Sequence, residues 1–142
     1  MNKPIRVLVV DDSALVRTIL KEGLDADPDI EVVGTAGDPY QARDKILALH
    51  PDVMTLDVEM PRMDGVEFLR RLMPQYPLPV IMVSVLTESG KQVTMDALEA
   101  GAVDIVCKPK ADVARGLKTM MAELRLKVRA ASMAKVQVRK RG

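Results

Sequence analysis

Asp11-Asp12, Asp57, Ser84 and Lys108 each stand at the carboxyl end of a short apolar run. Clustered carboxylates repel one another unless a hard cation neutralises them, and an oxygen-rich acidic site suits Mg²⁺ or Mn²⁺. One aspartate beside such a metal, with a lysine and a hydroxyl close by, is equipped for covalent phosphoryl transfer. The ion, Lys108 and Ser84 would offset charge on the incoming phosphoryl oxygens. Singly, each residue has a plainer role. Asp11-Asp12 suit the positive end of a helix dipole, Asp57 a loop start, Ser84 a loop hydroxyl and Lys108 a surface charge before a turn. Their placement at four strand ends argues against coincidence.

The elements that must position these residues alternate between two periodicities. Ile5–Val10, Glu31–Gly34, Val53–Leu56, Val80–Val83 and Val103–Cys107 read as strands. Apolar-rich runs of this kind, the first interrupted only at Arg6, suit a parallel sheet buried on both faces. Ser13 opens a helical pattern carrying Leu15, Val16, Ile19, Leu20 and Leu24, which Asp27-Pro28 stops. Asp38-Pro39 reads as an N-cap with proline at the first helical position, and Ala42, Ile46 and Leu49 continue that helix to His50-Pro51. Gly65–Met73, Lys91–Ala100 (closed by Gly101) and Ala111 to about Ala131 supply three more helices. Strands alternating with helices imply a parallel sheet with helices on both faces, and its strand ends border the ligand crevice.

A chain of 142 residues is one domain, with the apolar (48%) and charged (29%) balance of a globular protein. With no Trp, two Tyr and one Phe, base stacking on nucleic acid has almost nothing to work with. Cys107 alone excludes an intrachain disulfide, and with His50 as the single histidine a Cys/His zinc cluster is excluded as well. His50 reads as a helix-end surface residue, and the ten dispersed methionines as core filler. No signal peptide or membrane span is visible, so a cytoplasmic location without membrane insertion is expected. Met1–Leu124 carries 14 basic and 20 acidic residues, whereas Arg125–Gly142 carries seven basic residues and no acid. The basic end reads as a solvated helix end running into a linker rather than a nucleic-acid contact.

Residues 3–130 resemble the response-regulator receiver domain. The matching segments are Val-Leu-Val-Val-Asp-Asp-Ser at 7–13, Leu-Asp-Val-Glu-Met-Pro-Arg-Met-Asp-Gly at 56–65, Val-Ser at 83–84 and Lys-Pro at 108–109. The resemblance implies an α/β fold with a doubly wound five-stranded parallel sheet, flavodoxin-like and CheY-like, in strand order 2-1-3-4-5. It implies that Asp57 is the phosphoacceptor and becomes 4-aspartylphosphate. Asp12 and Asp57 would bind Mg²⁺ through carboxylates, Glu59 through its backbone carbonyl and Asp11 through a coordinated water. Ser84 and Lys108 would contact the phosphoryl group, and the Lys108-Pro109 bond would be cis.

A narrower resemblance, to the receivers of chemotaxis protein-glutamate methylesterases, covers residues 55–65, 79–84, 86–88 and 97–104. It implies phosphorylation by a CheA-like chemotaxis histidine kinase. It also implies an attached hydrolase that demethylates and deamidates chemoreceptors. On that reading residues 1–131 are the receiver, residues 132–142 begin a basic interdomain linker, and the methylesterase domain is absent from this chain. A face including Leu86, Thr87, Glu88, Ile105, Met120 and Met121 would cover the hydrolase, and without that domain it would be exposed and somewhat apolar. Two positions depart from the pattern. Ile105 replaces the usual aromatic switch residue and has no ring to couple with the Ser84 hydroxyl, and Val85 replaces a frequent second serine.

Two other readings compete. A stand-alone chemotaxis receiver acting on the flagellar motor switch shares the Asp57 chemistry and differs in where the gene stops. A phosphatase of the haloacid dehalogenase type also uses a strand-end aspartate, a hydroxyl and a lysine. That family needs Asp-x-Asp at the nucleophile, whereas Val58-Glu59 follows Asp57 and the acid pair comes first in the chain. A DNA-binding output has no helix-turn-helix pattern to support it.

Overall fold

The computed structural model describes residues 3–60, 62–85, 90–108 and 113–134. Strands β1 (Ile5–Val10), β2 (Ile30–Ala36), β3 (Val53–Asp57), β4 (Val80–Val85) and β5 (Asp104–Lys108) alternate with five helices. These are α1 (Ala14–Asp25), α2 (Pro39–Leu49), α3 (Gly65–Leu72), α4 (Gly90–Ala100) and α5 (Val113–Ser132). All strand pairs are parallel, in the order β2-β1-β3-β4-β5. The expected doubly wound sheet and its strand order are both present.

The strands separate two cores because successive side chains point to opposite faces. Val7 and Val9 join Val16, Leu20, Leu24, Leu117, Met121 and Leu124 under α1 and α5. Leu8 and Val10 join Ala42, Ile46, Phe68, Leu69 and Ala97 under α2, α3 and α4. Truncating a fully buried side chain such as Leu56 or Leu69 to alanine would cost about 2–5 kcal/mol.

Local chemistry sets the helix ends. The Ser13 hydroxyl accepts from Val16 N at 3.3 Å, and the Asp38 carboxylate from Gln41 N at 2.8 Å. Asp64 caps α3 in the same way, accepting from Glu67 N at 2.8 Å. His50 ends α2 in the left-handed region (φ 49°), with Nδ1 at 2.7 Å from the Tyr76 hydroxyl, a surface role as expected.

Several boundaries run past the sequence expectation. β2 spans Ile30–Ala36 because its pairing with β1 continues to Val10 opposite Ala36, carrying Thr35 and Ala36 into the ladder. β4 and β5 reach Val85 and Lys108, which are opposite each other. Residues 86–89 and 109–112 lie outside the described set, and with them the expected Lys108-Pro109 bond geometry and the Leu86, Thr87 and Glu88 part of the covering face.

Met121 does not belong to that face. It is 5% exposed and packs on α1, where a Cβ on Gly23 would stand 2.5 Å from its methyl carbon. Ile105 and Met120 are half-buried, and the large apolar side chains exposed among the described residues of this region are Met95 and Leu98 on α4, Leu126 on α5 and Met133 just past it. Among the described residues, no helix is long and apolar enough to cross a membrane.

Candidate functional site

The strand order reverses direction between β1 and β3, and an open α/β sheet leaves its ligand crevice at that point. Asp57 is the last residue of β3, and Asp11 and Asp12 directly follow β1. One carboxylate oxygen from each of the three lies within 4.8 Å of the others. Asp11 and Asp57 are buried, at 1% and 4% exposure, whereas Asp12 faces solvent. The trio is a bowl with one wet wall.

Lys108 closes the bowl from the edge strand. Its ammonium donates to Asp11 Oδ2 at 2.9 Å and lies 3.1 Å from Asp57 Oδ1. Burial works against the charged lysine, but the hydrogen bond to Asp11 and the charge on Asp57 outweigh it, so its pKa is raised. Burial also dominates at Asp57. Together with the neighbouring Asp11 charge it pushes the carboxyl up to about 7, against the opposing pull of Lys108. The donors are all oxygens, two of the three buried, which is the donor set of a hard divalent ion such as Mg²⁺.

The other sequence-predicted residues are placed less centrally. The Ser84 hydroxyl donates to its neighbour's carbonyl, Val85 O, at 3.3 Å. It lines a cavity of about 20 Å³ with Val58, Ile105 and Cys107, so Ile105 adjoins Ser84 even without a ring. Glu59 keeps its side chain exposed and outside the carboxylate trio, and the contribution expected of it is a backbone carbonyl.

Two local devices hold the loops around the bowl. Gly65 donates its N–H to Val58 O at 2.7 Å, drawing the loop after Asp57 back onto the start of α3. Arg62 takes a left-handed conformation (φ 72°) in that loop, with its guanidinium carbon 5.9 Å from the centre of the Tyr40 ring. Sequence reading missed one polar contact altogether: Arg17 Nη1 donates to the Asp11 carbonyl at 2.7 Å. The available signal was its position one turn into α1, from which helical side chains reach back toward the N-terminus.

Comparison with known proteins agrees with this geometry. The response regulator receiver domain family matches residues 7–120. The protein-glutamate methylesterase/protein-glutamine glutaminase of Syntrophotalea carbinolica is 73% identical over 136 residues, covering 96% of this chain. The chain spans 38% of that relative's length. The solved response regulator domain of Thermotoga maritima CheB superposes with a TM-score of 0.87 at 45% identity, covering 94% of this chain and 99% of that one. A structure of the P1 domain of CheA3 in complex with CheY6 from R. sphaeroides matches with a TM-score of 0.75 at 34% identity, covering 94% of this chain and 100% of that one. The chain therefore belongs to the response regulator receiver family, as a receiver of the CheB type.

Proposed function

We propose that Asp57 accepts a phosphoryl group from a phosphohistidine of a CheA-like chemotaxis kinase. The state of Asp57 then regulates a protein-glutamate methylesterase/glutaminase acting on chemoreceptors in the cytoplasm. The observation that carries the reading is the buried Asp57 carboxylate facing Asp11 and Lys108 at the switch point of the sheet. The names of the relatives support the methylesterase context, and the kinase-bound neighbour supports the donor. On this reading residues 1–131 are the regulatory domain and residues 132–142 begin the linker.

Asp12 and Asp57 would hold Mg²⁺ through carboxylates and Glu59 through its carbonyl, with Asp11 acting through water. A bound Mg²⁺ would supply positive charge to offset the phosphoryl oxygens. The protein's own residues do the rest. Asp57 provides the attacking oxygen and must first lose the proton its buried site favours. Its Oδ attacks phosphorus, the bond from phosphorus to the donor imidazole nitrogen breaks, and the histidine leaves with that electron pair. Lys108, already 3.1 Å from Asp57, and the Ser84 hydroxyl would contact the transferred group.

Incubation with a phosphorylated kinase P1 domain, or with acetyl phosphate, tests this. Labelling should be Mg²⁺-dependent, alkali-labile and absent from Asp57→Asn. Undiminished label on a folded Asp57→Asn chain overturns the assignment.

A further inference from the structure

The Asp11-Asp12 peptide is gripped from outside the sheet. Arg17, on α1, donates through Nη1 to the Asp11 carbonyl at 2.7 Å. The other polar groups of Asp11 are engaged as well. Its N–H donates to Ala36 O at 3.0 Å, Oδ1 accepts from Ser13 N at 2.9 Å, and Oδ2 accepts from Lys108.

Asp12 is different. Its side chain is exposed, and its carboxylate nonetheless joins the trio whose oxygens lie within 4.8 Å. Among the described residues, no side chain is recorded holding that carboxylate in place. What directs it is backbone. The carbonyl of Asp11 and the N–H of Asp12 share one rigid peptide plane, so a donor that holds the carbonyl also holds the direction in which Asp12 leaves it.

The guanidinium has room for this because of Gly37, just past β2. A Cβ at Gly37 would stand 3.0 Å from Arg17 Nη1 and 3.6 Å from its central carbon. The side chain therefore lies between the ends of β1 and β2. A bond from a charged donor to a carbonyl is stronger than a neutral one. The helix itself is attached by other means: Val16, Leu20 and Leu24 are buried, and Arg125 donates twice to Gly23 O, at 2.9 and 2.7 Å.

We infer that Arg17 is a positioning residue for Asp12: by holding the Asp11 carbonyl it aims the exposed carboxylate at the cation position. It raises divalent-cation affinity without touching the ion. The inference rests on the trio being a Mg²⁺ site.

The test uses the full chain with MgCl₂ as the probe, titrated by amide NMR shifts, alongside urea melts in chelator. Arg17→Ala should lower Mg²⁺ affinity by about 10–100-fold, the range for lost partners of metal ligands. Its urea midpoint in chelator should move little. Arg17→Lys, which still carries a charged donor, should recover part of the affinity. In an Asp12→Ala background, Arg17→Ala should cause no further loss, because the arginine acts through Asp12. Unchanged affinity in Arg17→Ala overturns the inference, as does a loss of equal size without Asp12. A wild-type chain that takes up no Mg²⁺ overturns the metal reading itself, and the role of Arg17 with it.

Discussion

The carbonyl oxygen of Asp57 lies where a side chain at residue 65 would begin: a Cβ built on Gly65 stands 2.2 Å from it. The obstructing atom is backbone, at the end of the central strand, and cannot swing aside. Gly65 is needed here for close approach, since its φ is not in the left-handed region.

Gly65→Ala should therefore cost more than an ordinary helix substitution. Overpacking against backbone predicts a loss of about 1–3 kcal/mol, against a helix-propensity gain of up to about 1 kcal/mol. Urea denaturation reads the stability, and phosphorylation of the folded fraction should also fall because Asp57 must shift. Full stability in Gly65→Ala would contradict this close fit.

Metal-free stability should depend on pH through Asp57. Burial and Asp11 raise its carboxyl to about 7, while an unfolded aspartate titrates near 4. Between those values the folded chain binds more protons than the unfolded one, so stability falls as pH rises through that window and is level above it. Urea midpoints in chelator at pH 5, 6, 7 and 8 should show the decline in wild type and a shallower one in Asp57→Asn. Added Mg²⁺ should stabilise most at the alkaline end, where no proton competes. Parallel profiles for the two proteins would refute the assignment.

Asp12→Ala and Lys108→Ala should separate binding from response. The first removes a direct oxygen donor and should lower Mg²⁺ affinity by at least about tenfold. The second removes an ammonium that contacts Asp11 and Asp57, so Mg²⁺ affinity should stay within about threefold while the phosphorylation response falls. Calorimetric Mg²⁺ titration and acetyl phosphate labelling check the pair. Equal loss of metal affinity in both variants would show that the division of roles is wrong.

Thr55 offers a control close to the site. Its hydroxyl is fully buried two residues before Asp57 and has no hydrogen-bond partner among the described residues. Replacing an unsatisfied hydroxyl by a methyl of the same shape is neutral or stabilising, so Thr55→Val should gain about 0–2 kcal/mol. Labelling of Asp57 should be unchanged. A clear loss of stability in thermal or urea melts would mean that the hydroxyl is satisfied in solution.

The alternation of strands and helices was legible because a sheet covered on both faces leaves short apolar runs, and the polar residues ending them mark the crevice. Asp11, Asp12, Asp57 and Lys108 do converge, since parallel strands place their carboxyl ends along one edge. Other features depend on packing that no local pattern encodes. Met120 and Met121 are adjacent on α5, and only the seating of α5 against Gly23 decides that Met121 turns inward. Gly34 reads as the end of a strand, yet pairing with Val9 and Val10 keeps Thr35 and Ala36 in the ladder. Arg17 drew no sequence reading, because its partner is a backbone carbonyl that sequence does not distinguish from any other.

The bridge from Lys108 to Asp11 joins residues 97 positions apart in a chain of 142, so most of the chain lies between the two halves of one contact. Contacts of such separation close late in folding, after the loop entropy of everything between them has been overcome. During synthesis the three aspartates leave the ribosome well before the lysine that faces two of them. A growing chain thus carries its acids unpartnered by Lys108 until β5 docks on β4. The site's completion coincides with closure of the sheet's last edge, which on the proposed function ties competence to accept a phosphoryl group to the finished fold.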